Sequence, residues 1–393
     1  MNKNILNTVI QEFISDNVSK DVTSFLLQSH HFEGASIKEI VEQIEAKKRC
    51  KLKLPTWYNN TNIYYPNKLN IEQTSSEVTA KYKSEIISGN SIIDLTGGFG
   101  VDCYYFSKVF KNVTHCELNK ELSEIAKHNF QVLNAENVEN VNTDGISYFL
   151  EKKKKYDWIY IDPSRRNDIK GKVFYLKDCL PNVPEHLDLL FNYSDNILIK
   201  VSPMLDLSIG ISELQHVKNI HIVAVNNEVK EVLFVLERDC SVGIEIKTVN
   251  FQKEKIQEFS FLQEKENEAL VNFEEVQSYL YEPNAAILKS GAFKSVAQIL
   301  KTDKLHQHSH LYTSESLLNF PGRSFIVEKV VPYNKRKIKS ILEKQQINAS
   351  TRNFPESVIQ LKKKFKFKDG GDDYVFFTTN HNNEKVVIFC KKA

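Results

Sequence analysis

The chain lacks the long apolar runs of a helical membrane protein: nothing in its 393 residues approaches the roughly 20 consecutive apolar residues that a bilayer-spanning helix needs. Its opening residues, MNKNILNTVIQEFISDN, contain neither a sustained apolar segment nor a small-residue cleavage site, so secretion is not expected. The six cysteines, Cys50, Cys103, Cys116, Cys179, Cys240 and Cys390, form no CxxC pair. That scatter argues against a zinc site or a disulfide framework, and for reduced, mostly buried thiols in a cytoplasmic protein. There is also no internal repeat and no extended low-complexity linker.

What is present suits a globular protein of two or three domains, with 41% apolar and 26% charged residues. The charge is unevenly placed. The net value is +2, yet residues 320–393 hold 16 Lys and Arg against 7 Asp and Glu, a local +9 that leaves −7 on the rest. A basic terminal module on a slightly acidic body suggests a polyanionic partner, although exposed lysines that merely keep a small domain soluble would leave the same imprint.

Hydrophobic spacing divides the chain. Residues 1–85 read as a helical region: NILNTVIQEFI, DVTSFLLQ and SIKEIVEQIEAK carry apolar residues at three-to-four spacing, and Ser36 is placed to cap the third. EQTSSEVTAKYKSEII resumes helix after a proline- and asparagine-rich break. From Ser91, strands (SIIDL, VTHCEL, ENVNTDG, YDWIYIDP, NILIKVSP) alternate with helices (VDCYYFSKVF, KELSEIAKHNFQVL), and Lys152 to Lys155 read as a solvated helix end. This rhythm predicts an α/β, Rossmann-like, mostly parallel and doubly wound sheet over residues 86–240. NIHIVAVNNEVKEVLFVLER then adds two strands too close together to be anything but antiparallel neighbours, an ending that ordinary dinucleotide folds lack. Residues 241–322 are strand-like, then charged, with LYEPNAAILKSGAFKSVAQIL reading as a turn into a helix. Residues 323–393 read as a small basic α+β domain: strand FIVEKVV, helices KRKIKSILEKQ and PESVIQLKKKF, and the hairpin DYVFFTTNHNNEKVVIFCKK.

The chemistry concentrates after the first strand, in SIIDLTGGFGVDCYYF. A phosphate-binding P-loop needs GxxxxGK[ST], but here the glycines lead into Val101, Asp102 and Cys103 with no lysine. A dinucleotide fingerprint needs GxGxxG or GxGxxA, and Gly98 to Cys103 gives GxGxxC, a weak near-match. The third candidate ligand, S-adenosylmethionine (SAM), has no phosphate, and carboxylates make its specific contacts. Asp94 is then expected to orient the methionine end, directly or through water. The turn of Thr96, Gly97, Gly98 and Gly100 would approach the ligand, Glu117 accept the ribose hydroxyls, and Asp144 meet the adenine amino group. Singly, each acid has a plain structural alternative as helix cap, surface charge or turn former. Together, in order at the carboxyl ends of adjacent strands where open α/β sheets bind ligands, they favour SAM.

IDPSRR closes the fourth strand, beside the expected methyl group. Amino-nitrogen methyltransferases often carry [DN]PP[YFW] there. This chain keeps Asp162 and Pro163 but continues Ser164, Arg165, Arg166, with Phe174 and Tyr175 as the nearby aromatics able to stack a base. Asp162, Pro163 and Arg165 are the candidate catalytic residues. The arginine pair suits bidentate phosphate contact, with Arg166 a candidate substrate ligand, or else a structural fork with Asp168, Asp178 or Glu185. Lys200, in KVSPMLD, is expected to line the same crevice. No cysteine sits in a nucleophile motif, and Cys179 falls in a predicted helix, so direct transfer to nitrogen or oxygen is expected over a covalent route. His306, His308 and His310 alternate and would share one face of an extended segment, but nothing completes a metal set and no metal is expected. In LKKKFKFKDGG, alternation sets Lys362, Lys363, Lys364, Lys366 and Lys368 against Phe365 and Phe367, making Lys363 and Lys366 candidate phosphate contacts.

DLTGGFGVD, YIDPSRR and LIKVSPMLD, with the upstream EQTSSEVTAKYK, resemble a bacterial family of class I methyltransferase-like proteins. LYEPNAAILKSGAF, HSHLYTSES, FPGRSF and KFKDGGDDYVFF are similar to that family's ferredoxin-like segment, within 241–322 here, and its THUMP-like C-terminal domain, 323–393. The resemblance runs from about residue 55 onward. It implies a SAM-dependent methyltransferase with an RNA-binding appendage. Thr96 departs from the broad class I pattern, which usually has glycine there. The expected function is methyl transfer to a nitrogen or oxygen of structured RNA, a tRNA or rRNA. The alternatives are a protein or small-molecule acceptor, and a non-catalytic RNA-binding protein.

Overall fold

Short strands, most of them carrying buried aliphatic residues, dictate the first sheet. β1 (Ser91–Asp94), β2 (Asn112–Cys116), β3 (Val138–Val141), β4 (Trp158–Ile161) and β5 (Asn196–Val201) pair in parallel. Ile92, Ile93, Ile159, Ile161, Ile197 and Ile199 are fully buried, as strands with no solvated face require. The computed structural model describes residues 1–22, 25, 32–165, 175–253 and 255–393, and of Arg165 the backbone alone. Much of the predicted helix DVTSFLLQ, together with Arg166, Asp168 and Phe174, lies outside the described residues.

Two longer strands follow, β6 (Val217–Val225) and β7 (Glu228–Glu237). Asn226 and Asn227 between them have φ of 52° and 64°, the two left-handed positions of a primed hairpin turn. The strand order β3-β2-β1-β4-β5-β7-β6 inserts β7 antiparallel beside β6, the late reversal expected from sequence. β6 also runs parallel with β8 (Glu245–Phe251), which pairs antiparallel with β9 (Ile256–Leu262). The chain divides into two compact units, residues 1–217 with 233–240 and residues 218–232 with 241–393, so the boundary falls inside the β6–β7 hairpin.

In the first unit, helices α1 (Thr8–Asn17), α2 (Ile37–Lys53), α3 (Pro55–Asn59), α4 (Lys68–Gln73) and α5 (Glu77–Glu85) precede the sheet. Ser36 and Glu39 form the capping box that starts α2. The apolar faces of these helices share one core with Phe99 and Val101, and with Leu122 and Ile125 of the helix after β2, α7 (Lys120–Val132). Between β1 and β2 lies α6 (Val101–Phe106), and after β3 comes α8 (Gly145–Lys152).

In the second unit, β10 (Tyr279–Pro283), β11 (Tyr312–Ser314), β12 (Gly322–Pro332), β13 (Gln346–Arg352), β14 (Lys368–Thr379) and β15 (Lys385–Lys392) make a sheet of order β11-β10-β12-β15-β14-β13, edged by the bridge Asp303–Lys304. Helices α9 (Lys335–Leu342) and α10 (Val358–Phe365) pack Ile338, Leu342, Leu361 and Phe365 into its core.

Three expectations need correction. The lysine run lies in the expected helix, and so the alternation does not gather its lysines on one face. A Ser357–Gln360 capping box starts α10, Leu361 and Phe365 take its buried face, and Lys362, Lys363 and Lys364 spread around the remainder until Lys366, at φ 56°, closes it. Cys179 is buried as expected, but it sits in a two-residue bridge to Ser164 and Arg165 after a 3₁₀ turn. Pro181 two residues on removes a donor that a helix would need. The histidines do not share a face: His306 is buried, His308 exposed, and His310, at φ 50°, stacks on Phe293 at 3.7 Å. β13, in QINASTR, was not anticipated because its side chains are mostly polar and half-buried.

Candidate functional site

Parallel register places Asp94 opposite His115 on one side and Tyr160 on the other, so the loops after β1, β2, β4 and β5 leave one edge of the sheet. Asp94 is 1% exposed and turns inward. Its Oδ1 accepts the Thr96 N–H (2.8 Å) and hydroxyl (3.1 Å), and its Oδ2 accepts the Cys103 thiol (3.4 Å). Burial pushes this carboxyl up to about 7, against the pull of those bonds. Asp94 therefore shapes the turn from beneath. Thr96, the departure from glycine, has a use here: its Oγ1 also accepts the Asp162 N–H at 2.7 Å, joining the turn to the end of β4.

The glycines have separate reasons. Gly97 donates to the Cys116 carbonyl (2.8 Å), and a Cβ there would lie 2.3 Å from His115 Nε2. Gly100, at φ 84°, would place a Cβ 2.5 Å from Phe130. Gly98, at φ 56°, is different: a Cβ would meet only the Thr96 carbonyl, at 3.7 Å, so the turn is open on this face. Phe99, 3% exposed, enters the core of the N-terminal helices near Trp57. Beneath Gly97, fully buried His115 accepts the Asn140 side-chain N–H at Nδ1 (2.9 Å), and burial lowers its pKa to about 4, leaving it neutral. Among the described residues its Nε2 has no hydrogen-bond partner.

Glu117 follows β2. Its Oε2 accepts the Gly98 N–H (2.9 Å) and its Oε1 the Asn119 N–H (2.6 Å), which pins the carboxylate over the open glycine. Leu118 beside it is 73% exposed, an apolar surface that polar-residue reasoning passed over. Asn142 holds this stretch by donating to the Glu117 and Leu118 carbonyls (2.8 and 3.1 Å). Asp144 is exposed and caps α8, its Oδ1 accepting the Ser147 N–H (2.8 Å) and hydroxyl (2.9 Å). A cavity of about 210 Å³, lined by Tyr64, Pro66, Asn67, Asn119 and Leu122 among others, adjoins the start of α7.

At the other end of the site, Lys200 Nζ donates to Asp162 Oδ2 at 2.5 Å, the two side chains being 14% and 31% exposed. Pro163 is buried. The Ser164–Arg165 backbone bridges to Cys179–Leu180, and the Leu176 N–H is held by Glu213 Oε2 (2.6 Å). Of the proposed fork partners, Glu185 accepts from Asn182 (2.9 Å) and Asp178 is exposed. The structure thus brings together Asp94, Thr96, the glycines, Glu117, Asp162 and Lys200. Lys363 and Lys366 belong to the second unit.

Sequence reasoning missed a buried network behind the turn. Lys83, with no exposed surface, pairs with Asp102 Oδ1 (3.2 Å) and donates to Ser75 Oγ (3.1 Å). Asp102 Oδ2 accepts the Ser75 hydroxyl (2.8 Å) and the Tyr160 hydroxyl (2.9 Å). Glu77 accepts the Thr56 N–H and hydroxyl and the Tyr105 hydroxyl (2.5, 2.8 and 2.8 Å). The EQTSSEVTAKYK segment, carrying Ser75, Glu77 and Lys83, is the one signal for it in the sequence. Among the described residues no group of three or more His, Cys, Asp or Glu is placed to hold a metal ion, and no helix is long and apolar enough to cross a membrane.

A glycine turn after β1, acids at the ends of β1, β2 and β4, and a late antiparallel strand define the class I methyltransferase type of sheet. Over its whole length the chain is similar to a crystal structure from Porphyromonas gingivalis W83 provisionally assigned as a methyltransferase: 34% identical, covering 100% of this chain and 98% of that one, with a TM-score of 0.89. Residues 279–321 match a ferredoxin-like domain family and residues 322–392 a THUMP-like one. An uncharacterized RNA methyltransferase of Mycoplasma mobile is 26% identical over 137 residues, 33% of this chain and 37% of that protein. The chain thus spans little more than a third of that curated relative. The chain belongs to the family of the Porphyromonas protein: class I methyltransferase-like proteins with a ferredoxin-like segment and a THUMP-like C-terminal domain.

Proposed function

We propose that this protein is a SAM-dependent methyltransferase acting on a nitrogen or oxygen of structured RNA, a tRNA or an rRNA. The observation that carries the reading is the glycine turn whose single open face, at Gly98, lies under a carboxylate pinned by that glycine's own N–H. The names of the Porphyromonas and Mycoplasma relatives support the reaction class and the RNA acceptor, and the THUMP-like domain supports RNA contact.

The residues present fit SAM. Gly98 leaves room where a ligand would approach the turn. Each Glu117 oxygen holds one backbone N–H, keeping further lone pairs for the two ribose hydroxyls. Exposed Leu118 offers an apolar face for the adenine ring, and Asp144 a carboxylate for its amino group. Asp94 acts through Thr96 and the shape of the turn. When bound, SAM supplies an electrophilic methyl group.

The chain's own residues position the acceptor. Thr96 holds the Asp162 backbone, and Lys200 holds Asp162 Oδ2. Oδ1, which has no hydrogen-bond partner among the described residues, is left to accept the hydrogen of the attacking N–H or O–H. Buried Pro163 fixes the exit of the chain from β4, and Arg165 and Arg166 follow as phosphate ligands of the acceptor.

The test is methyl-labelled SAM incubated with the purified protein and with RNA and protein fractions from cells lacking it. Label is expected in RNA and absent with Asp162→Ala; label in protein would replace the RNA reading. Calorimetry should give saturable SAM binding that Glu117→Ala weakens by about tenfold to a hundredfold, the worth of hydrogen bonds to a charged group. Absence of SAM binding by the unaltered chain would remove the enzyme reading altogether.

A further inference from the structure

Of the five lysines that sequence alone singled out, three are paired, while Lys363 and Lys368 are exposed and in no ion pair among the described residues. Lys362 pairs with Asp369, Lys364 with Glu356 (2.7 Å) and the Tyr333 hydroxyl (2.8 Å), and Lys366 with Glu343 (3.8 Å). Helix α9, KRKIKSIL, differs. Ile338 and Leu342 are buried, while Lys335, Arg336, Lys337 and Lys339 are all exposed, and none of the four is in an ion pair among the described residues. At 3.6 residues per turn these four cations cover the circumference turned away from the core.

The helix begins at the rim of a cleft. Tyr333, two residues before α9, donates its N–H to the Lys385 carbonyl (2.8 Å), and its ring meets Phe354 edge-on at 5.1 Å. Asn353, Phe354, Pro355, Thr379 and Lys385 line an open cleft of about 510 Å³ there. Phe354 is partly exposed, and Asn353, Pro355 and Lys385 are exposed. An aromatic face, a proline ring, an amide and an ammonium group beside a row of unpaired cations form a set that stacks a base while neutralising its backbone.

We infer that α9 and this cleft are the RNA-contacting face of the second unit: Lys335, Arg336, Lys337 and Lys339 take successive phosphates, and the cleft takes one unpaired base against Phe354 with Lys385 at its phosphate. The inference rests on the RNA reading above and locates where that RNA is held. A phosphate drawn to α9 displaces only mobile counterions. One drawn to Lys362 or Lys364 must compete with a carboxylate already in place.

The test uses the full chain and a fluorescein-labelled RNA hairpin, with and without a single-stranded 3′ tail, followed by anisotropy over a salt series. Replacing all four α9 cations with glutamine should lower the slope of log affinity against log salt by about 3, and weaken binding strongly at low salt. Glutamine at Lys362, Lys364 and Lys366 together should change the slope by less than about 1. Phe354→Leu should weaken the tailed hairpin by about tenfold, leave the blunt one alone, and keep the salt slope. SAM binding and thermal midpoint, read on each variant, show that it is folded. An α9 variant with unaltered affinity and slope overturns the assignment, as does an equal loss from the other three lysines. If the unaltered chain binds no RNA yet labels protein, the RNA reading itself fails, and the surface assignment with it.

Discussion

The turn after β1 and helix α9 treat charge in opposite ways. Around the turn the ionisable groups are held by other parts of the chain: Asp94 by Thr96 and Cys103, Glu117 by Gly98 and Asn119, Asp102 by Lys83, Ser75 and Tyr160, and Asp162 by Lys200. On α9 four cations stand exposed without a carboxylate partner among the described residues. The first arrangement fixes atoms to a fraction of an ångström and suits a small ligand whose hydroxyls and amine must be met individually. The second fixes only a field, which suits a long polyanion that carries the same charge at every step. The turn should therefore be broken by small steric changes and be indifferent to salt, and the helix the reverse.

The largest effect should come from crowding the turn. Gly100→Ala adds a methyl 2.5 Å from Phe130 at a φ of 84°, and should cost about 4 kcal/mol in urea unfolding and abolish SAM binding. Gly98→Ala, whose Cβ would meet only the Thr96 carbonyl at 3.7 Å, should cost about 1 kcal/mol. Equal losses would mean that close packing is not what the turn requires.

Next comes the buried pair. Lys83→Met strands Asp102 and should cost about 3 kcal/mol, with Lys83→Met/Asp102→Asn recovering more than half of it. Additive losses in a double-mutant cycle would show that the two charges do not act as a pair. Smaller in free energy is Lys200→Gln, expected to reduce methyl transfer by about a hundredfold while leaving SAM affinity within about twofold, because Lys200 serves the acceptor side. A parallel fall in SAM affinity would move Lys200 to the cofactor.

The smallest effect is on pH dependence. Burial depresses His115, His221 and His310 from 6.5 to about 4. The unfolded chain therefore binds more protons below pH 6.5, and the stability tied to each neutral histidine, complete above 6.5, is lost as pH falls toward 4. At pH 5 each accounts for about 2 kcal/mol. Asp94 runs oppositely: raised to about 7, its contribution is complete below its unfolded value and lost as pH rises through 7. The unaltered chain reads the difference. His115→Asn should remove about a third of the histidine slope between pH 6.5 and 4.5, and an unchanged curve would mean that His115 is protonated in the fold.

Much of the site was legible because its residues punctuate strands. Apolar runs ending in Asp94, Glu117, Asp162 and Lys200 place those groups on one edge as soon as the strands are parallel and adjacent, and the two asparagines at 226 and 227 announce the hairpin that follows. Their orientation was not legible. Asp94 faces inward because Thr96 and Cys103 offer it three donors within the turn, and Asp144 spends an oxygen on capping α8. Lys83 reads as one more surface lysine until Asp102 and Ser75 close around it. The helix through PESVIQLKKKF was legible, with a capping box upstream and apolar residues four apart at Leu361 and Phe365, but the alternation of lysines with Phe365 and Phe367 wrongly suggested a single lysine face.

The sequence by itself determined most of the strands and helices, their order, and where the acids fall. Those depend on period, turn residues and caps, all of which act within a few residues. Only the tertiary structure decided which charges are satisfied and which are left outward. An ion pair such as Lys83–Asp102 or Lys200–Asp162 joins residues far apart in the chain. Whether a carboxylate is neutralised, raised in pKa or free for a ligand depends on the donors and the exclusion of water that packing brings to it.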